Sequence, residues 1–578
     1  MKKIFFTFLF FISTGYIFSQ NRIDTISVTG FNGSLKAQAG NFNSADISGV
    51  LGYSSNIYST TLYGSYLSRR EHNRRNSDFL THNIGVTFGA NIPEVNNIFS
   101  NANIKFNVEH EAKNYSNYTR LDDRYISHYG FFLWNRPSGS DLHSFLPRHY
   151  NSLFLNSSIV SDKEKYFKYR VNIEFDKYKN KFDANPVKQF FLPNFIYIGH
   201  DIEETKFTFS AGGNYKYGGM DFSSDILLYN NSYFAHLPKE WDPESNKLYE
   251  YDKYYINKNS SVFGFFGSGS AELSNNFFIM AGLKFYAYSS LERFIKDKED
   301  NKGTILPQLA LKYENKNNFS LSLCFNPDLK IMDFQQLYKL NPFALYQDIV
   351  LSTSWVSSPV YQGINHLLTP INLFLRFDIP TIENLKILTD VGYLEEKNTP
   401  YFYAQEPYSE YKDMYVEYPN YLRDYYPYLP DATTKGIYFN LKMEYNINEF
   451  NKVSFAFNYQ NKKIDSLRIP FVPQLGASLN YYLLLNNNKI KINPSIEFIG
   501  DRVSPVMYVW EMYTYGYNVF RENKEDAVLL VNLDAEYSII KNLAINLTII
   551  NMLNSKYSYY ANYQEYPFSI FAGLKLKW

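Results

Sequence analysis

The chain has a single cysteine in 578 residues, Cys324, so it can form no internal disulfide and no cysteine-rich metal site. It has no excess of either charge: lysine plus arginine and aspartate plus glutamate stand at 57 each, which gives no global basic field for nucleic acid. Beyond its first residues it has no apolar run of the about 20 residues that a membrane-spanning helix needs. It also has no linker, charge block or low-complexity tract, although a soluble chain of this length would divide into several domains. If such a chain lives in a membrane, it must cross as a closed barrel, because only there do all backbone polar groups find partners.

Signals for catalysis are equally sparse. The nine histidines, among them His72, His110, His128, His143, His149 and His366, are scattered. His110-Glu111 lacks the second histidine four residues on that a zinc helix requires. Gly264, Gly267 and Gly269 lack the strand-to-helix setting of a phosphate cradle. No enzymatic activity, catalytic residue, metal or cofactor is expected.

What the chain has in abundance is aromatic residues, 54 Tyr and 49 Phe, as a barrel with interfacial girdles requires. The N-terminus joins a basic Lys2-Lys3 to an apolar run from Ile4 to Phe18 and a cleavage point at Ser19-Gln20, which predicts a signal peptide. The C-terminal stretch alternates with period two. Phe568, Ile570, Leu574, Leu576 and Trp578 lie on one face, with Ser569, Gly573, Lys575 and Lys577 between them and Phe571 as the exception. This predicts the barrel-closing strand, through which the barrel-assembly machinery would be engaged.

The same alternation predicts strands near 33–43, 45–54, 58–68, 79–91, 101–112, 150–161, 165–176, 205–217, 220–230, 256–271, 276–289, 303–313, 318–326, 369–379, 383–394, 434–446, 451–460, 471–485, 489–502, 528–540, 543–553 and 565–578. That is about twenty-two, with boundaries good to a few residues. Links after even strands are mostly short, as at Gly218-Gly219 and Lys541-Asn542; links after odd strands are mostly long, as at 113–149, 327–368, 395–433 and 503–527. The expected fold is an all-β, antiparallel transmembrane barrel with short periplasmic turns and long extracellular loops, in a Gram-negative outer membrane. The expected division is a signal peptide at 1–19, a short periplasmic segment at 20–32 and the barrel at 33–578.

The strand number and three stretches resemble the barrel of TonB-dependent receptors, in particular those of the Bacteroidota. Asp333-Phe334-Gln335-Gln336-Leu337-Tyr338 with Asn341-Pro342-Phe343 is similar to a mid-barrel loop of that family. Asn551-Met552-Leu553-Asn554-Ser555-Lys556-Tyr557 is similar to its N-L-F-N-K-x-Y stretch before the last strand, and Gly30 to Lys36 resembles the junction of plug and barrel. The resemblance implies an outer-membrane barrel that passes or takes up a nutrient. The family's N-terminal plug has no counterpart here, so a plugless relative is expected. A lumen this wide needs closing, by its own loops or by a separate plug or lid protein as partner. The alternative is a non-conducting scaffold for a surface or secretion complex.

Specificity is expected in the loops. Tyr403, Tyr411, Tyr415 and Tyr425, with Trp510, Tyr513 and Trp134 in two further loops, offer rigid faces and hydroxyls for a ligand, or else pack on one another over the mouth. Arg69, Arg70, Arg74 and Arg75 are candidates for lipopolysaccharide phosphates, or form a solvated charged loop. Membrane lipid and lipopolysaccharide are the expected surroundings, and nucleic acid is not an expected partner.

Overall fold

The computed structural model describes residues 30–69, 79–92, 102–117, 146–161, 167–182, 186–188, 195–197, 200–236, 240–242, 247–249, 255–289, 301–315, 319–340, 365–382, 384–406, 425–428, 433–464, 467–508, 520–560, 563–564 and 567–578. Twenty-four strands form one sheet, of which Asp328–Lys330 and Leu467–Arg468 are short annexes to their neighbours, leaving twenty-two staves. These are β1 Gly30–Gly40, β2 Ser44–Ser54, β3 Tyr58–Arg69, β4 Phe79–Ile92, β5 Ala102–Asn117, β6 Leu146–Ser161, β7 Phe167–Phe182 and β8 His200–Tyr217. There follow β9 Met220–His236, β10 Tyr255–Ser274, β11 Phe277–Ser289, β12 Asn301–Glu314, β13 Ser320–Phe325, β14 Leu367–Ile382 and β15 Leu385–Lys397. The last are β16 Thr433–Asn448, β17 Asn451–Ile464, β18 Leu475–Leu485, β19 Ile490–Ile499, β20 Val528–Ile540, β21 Leu543–Ile550 and β22 Ser569–Lys577.

Each stave pairs antiparallel with the next, and β22 pairs with β1 from Ser34↔Lys577 to Gly40↔Phe571, so the sheet is closed and has no edge. Every expected strand has its stave. The shifts lie at strand ends: β1 spans 30–40 rather than 33–43, β7 runs on to Phe182 rather than 176, β9 to His236 rather than 230, and β22 spans 569–577 rather than 565–578. Short turns rest on residues that tolerate positive φ, among them Gly218 and Gly219 between β8 and β9 and Asn486 to Asn488 between β18 and β19.

The two faces are chemically distinct. Outward positions carry exposed apolar residues such as Phe207, Ile226, Phe265, Leu283, Leu309, Leu373, Ile437, Leu529 and Leu574. Below them, at the turn end, an aromatic girdle runs through Tyr215, Tyr217, Phe222, Phe277, Tyr445, Tyr537 and Trp578. On β8 the belt runs from Tyr217 to Phe207, which at the strand rise and tilt of such barrels is about 25 Å tall. Lumen positions carry ion pairs instead. Glu536 accepts from Lys575 at 3.1 Å and from Lys577, and Arg376 grips Asp390 at 2.7 and 3.0 Å. Phe571, the exception to the alternation of β22, faces the lumen and is buried.

Candidate functional site

The lumen is not bare among the described residues. After Phe325 the ladder of β13 ends, because Pro327 has no N–H to donate, and the chain turns inward over 326–340. Leu329 packs on Tyr229, Val262, Tyr286 and Leu306, one residue from each of four consecutive staves, β9 to β12. Burial of such a side chain contributes about 1.5–3 kcal/mol. The inward segment ends in a short helix, α1, Phe334–Leu340.

Two carboxylates organise the start of that helix. Asp333 Oδ1 accepts the Gln336 N–H at 2.7 Å, a side-chain cap, while the Leu337 N–H bonds the Asp333 carbonyl at 3.0 Å. Glu204, reaching in from β8, accepts the Phe334 N–H on one oxygen and the Gln335 N–H on the other, each at 3.0 Å. Asn231 Nδ2 fixes the same carboxylate at 2.9 Å. The amides that a helix N-terminus leaves without partners are thus met by the capping residue and by the barrel wall.

Beside them Lys206 is buried with its Nζ 3.2 Å from Asp176 and 3.2 Å from Asp333, and it also donates to Gln335 Oε1. Tyr229 OH donates to Asp333 at 3.2 Å. A second anchor lies at the start of the segment, where Lys284 Nζ and Tyr286 OH meet Asp328 Oδ1 at 3.0 and 2.9 Å. A third is His366, buried just before β14, whose Nδ1 accepts the Met332 N–H at 3.2 Å. Burial holds its imidazole down to about 4, against the protonated form. Residues 326–337 are therefore a strap tied to the inner wall at three points.

Above the wall the loops form sheets of their own. Tyr401–Glu406 pairs antiparallel with Tyr425–Tyr428 and parallel with Arg502–Tyr508, which in turn pairs with Phe520–Glu525. The two tyrosine-rich loops at 395–433 and 503–527 are thereby joined. Tyr403 stands opposite Tyr426, and Tyr425 opposite Ala404. Tyr411, Tyr415, Trp510, Tyr513, Trp134, Arg70, Arg74 and Arg75 lie outside the described residues, as do residues 1–19, where a signal peptide is expected. Arg69 places its guanidinium 5.1 Å from the ring centre of Phe571, on the lumen side. Of the closing strand, Ile570, Leu574, Leu576 and Trp578 are exposed outward, while the Phe568 carbonyl accepts from Asn41 Nδ2 at 3.0 Å. The stretch from Asn551 is a tight turn: Asn551 and Asn554 have φ of 54° and 52°, and Asn551 bonds both the N–H and the carbonyl of Ser555.

Sequence reasoning named Asp333 to Tyr338 only as a resemblance and missed Glu204 and Lys206. These two look like any polar lumen residues of an alternating strand. In the ladder Lys206 stands between Asp176 and Asn231, and Glu204 between Tyr178 and Tyr233.

No family model and no curated protein sequence matches the chain. Solved structures do. The FrpB iron transporter from Neisseria meningitidis matches with a TM-score of 0.66 at 9% identity, covering 96% of this chain and 82% of that one. The ferric yersiniabactin uptake receptor FyuA from Yersinia pestis matches with 0.65 at 9%, covering 95% and 80%; the copper transporter OprC matches with 0.65 at 10%, also covering 95% and 80%. The fold is that of the outer-membrane β-barrel of TonB-dependent receptors.

Proposed function

We propose that this chain is an outer-membrane transport barrel that passes or takes up a nutrient, with its lumen narrowed from within by the strap 326–337. The observation that carries the reading is the latch of Lys206, Glu204 and Asp333. Its three buried side chains hold a loop inside a wide barrel, across the path a solute would take. Closure of the remaining lumen falls to a separate plug or lid protein, and ligand contact to the aromatic residues of the joined loops, Tyr403 and Tyr425 among them. The cargoes in the names of the similar structures, iron, copper and ferric yersiniabactin, set the nutrients to test first.

The test is single-channel conductance of the refolded chain in a planar bilayer. The expected result is a steady conductance that rises in Lys206→Met, where the strap loses its central cation. Absence of conductance in both proteins, each shown to be inserted, would overturn the transport reading and favour the scaffold.

A further inference from the structure

Where the lipid belt ends at the loop end of β15 to β17, the outer face of the barrel carries a row of like charges. Ile437 of β16 faces outward and is 53% exposed, and the next outward residue toward the loops is Lys435. In the ladder Lys435 stands directly between Glu395 of β15 and Lys463 of β17, and Lys463 stands directly opposite Arg468 of the annex. Glu395, Lys435 and Lys463 share the outer face, because their chain neighbours Glu396, Thr434 and Ile464 are buried on the lumen side, while Arg468 beside Lys463 is largely buried against Asp501. Lys397, exposed and two residues above Glu395, extends the row.

Only part of this charge is answered. Lys435 lies 3.4 Å from Glu395, and Arg468 grips Asp501 through a 2.7 Å ion pair and a 3.0 Å bond to its carbonyl. Lys463 is exposed between two cations. Like charges directly opposite on one sheet face repel, and here the ladder prevents their spreading as a solvated loop would. Among the described residues, four cations, Lys397, Lys435, Lys463 and Arg468, stand beside two carboxylates, Glu395 and Asp501. The row lies one rung above Tyr393 and Ile437, the last outward residues of the apolar belt on β15 and β16. In a barrel with short turns at one end and long loops at the other, this is the headgroup level of the outer leaflet.

We propose that Lys397, Lys435 and Lys463, backed by the largely buried Arg468, form a docking site for the phosphorylated headgroup of an outer-leaflet lipid. The ammonium groups of Lys435 and Lys463 take the phosphate, which relieves their mutual repulsion, and Tyr393 and Ile437 receive the upper part of the acyl chains. The site rests on the outer-membrane placement of the barrel and is independent of what the lumen conducts.

The experiment is a native mass-spectrometric titration of the refolded chain in uncharged detergent, with diphosphorylated lipid A and with its dephosphorylated form as probes. The phosphorylated lipid is expected to bind more tightly. The double variant Lys435→Gln/Lys463→Gln should weaken that binding roughly thirtyfold, the effect of removing two cations from an anionic lipid surface. Its urea midpoint without lipid should equal or exceed that of the native chain, since a repulsion has been removed. Lys216→Gln, at the turn end, should leave the affinity unchanged. Equal binding of the two lipids, unchanged affinity in the double variant, equal loss in Lys216→Gln, or displacement of the lipid by inorganic phosphate at equal concentration would each overturn the proposal. None of these outcomes alters the conductance test of transport.

Discussion

Gly33 and Trp578 exchange two backbone hydrogen bonds of 3.1 Å, one in each direction, and the Trp578 indole covers the place where any other residue at 33 would carry its Cβ. An added Cβ would lie 2.6 Å from the ring and 2.7 Å from the Val50 carbonyl oxygen. The last residue of the chain thus lies over a glycine of the first strand, an aromatic covering of a bare backbone at the seam. Gly33→Ala is expected to destabilise the barrel by about 1–3 kcal/mol through overpacking, read as a lowered urea midpoint in detergent. Adding Trp578→Ala should recover only part of the loss, because the Val50 oxygen remains.

The strap gives a coupled pair. Lys206→Met removes the ammonium that lies 3.2 Å from both Asp176 and Asp333 and should cost the docked state about 3–5 kcal/mol, the usual effect of breaking a buried ion pair. Hydrogen exchange at the α1 amides should rise accordingly. Adding Asp333→Asn, which keeps the helix cap and removes one buried charge, should restore part of the protection; strictly additive losses would sink the account.

His366 makes docking depend on pH. Its imidazole is held at about 4 when buried and returns to its ordinary 6.5 when the strap is released. As pH falls from 6.5 the released form takes up the proton first, so the docked form loses stability between pH 6.5 and 4 and loses no more below that. The span amounts to roughly 3 kcal/mol. This contribution of His366 is read as the difference in conductance between the native chain and His366→Gln across that window. In His366→Gln, which keeps an acceptor for the Met332 N–H, the dependence should flatten.

The lipid belt predicts a gradient with depth. Leu309, exposed outward midway along β12, should cost about 2–4 kcal/mol when changed to Arg, whereas Tyr217→Arg at the turn rim should cost about 0–1 kcal/mol. Equal midpoint shifts for the two in vesicle unfolding would contradict the assignment of the faces.

Much of the wall was legible without coordinates. Ile437, Phe439, Leu441 and Met443 against Asn440, Lys442 and Glu444 announce a strand with one lipid face, and Gly218-Gly219 announces its kind of turn. The candidate site was not legible in the same way. Glu204 meets the Phe334 and Gln335 amides, and Lys206 meets Asp333, from more than a hundred residues away, and a lumen-facing polar residue has the same local pattern whether water or a strap lies before it. The parallel pairing of Ala404 with Val506 was hidden for a related reason, since both loops read only as tyrosine-rich.

The sequence by itself determined the period of two, the chemistry of each face and the order of short and long links, because these depend only on neighbours along the chain and on the solvent each face meets. The tertiary structure decided the seam at Gly33 and Trp578, the strap tied inside the lumen, the sheet made by two loops and the row of cations at the belt's upper edge. Each of those depends on register between strands distant in the chain, and register is settled only when the barrel closes and every edge amide must find a partner.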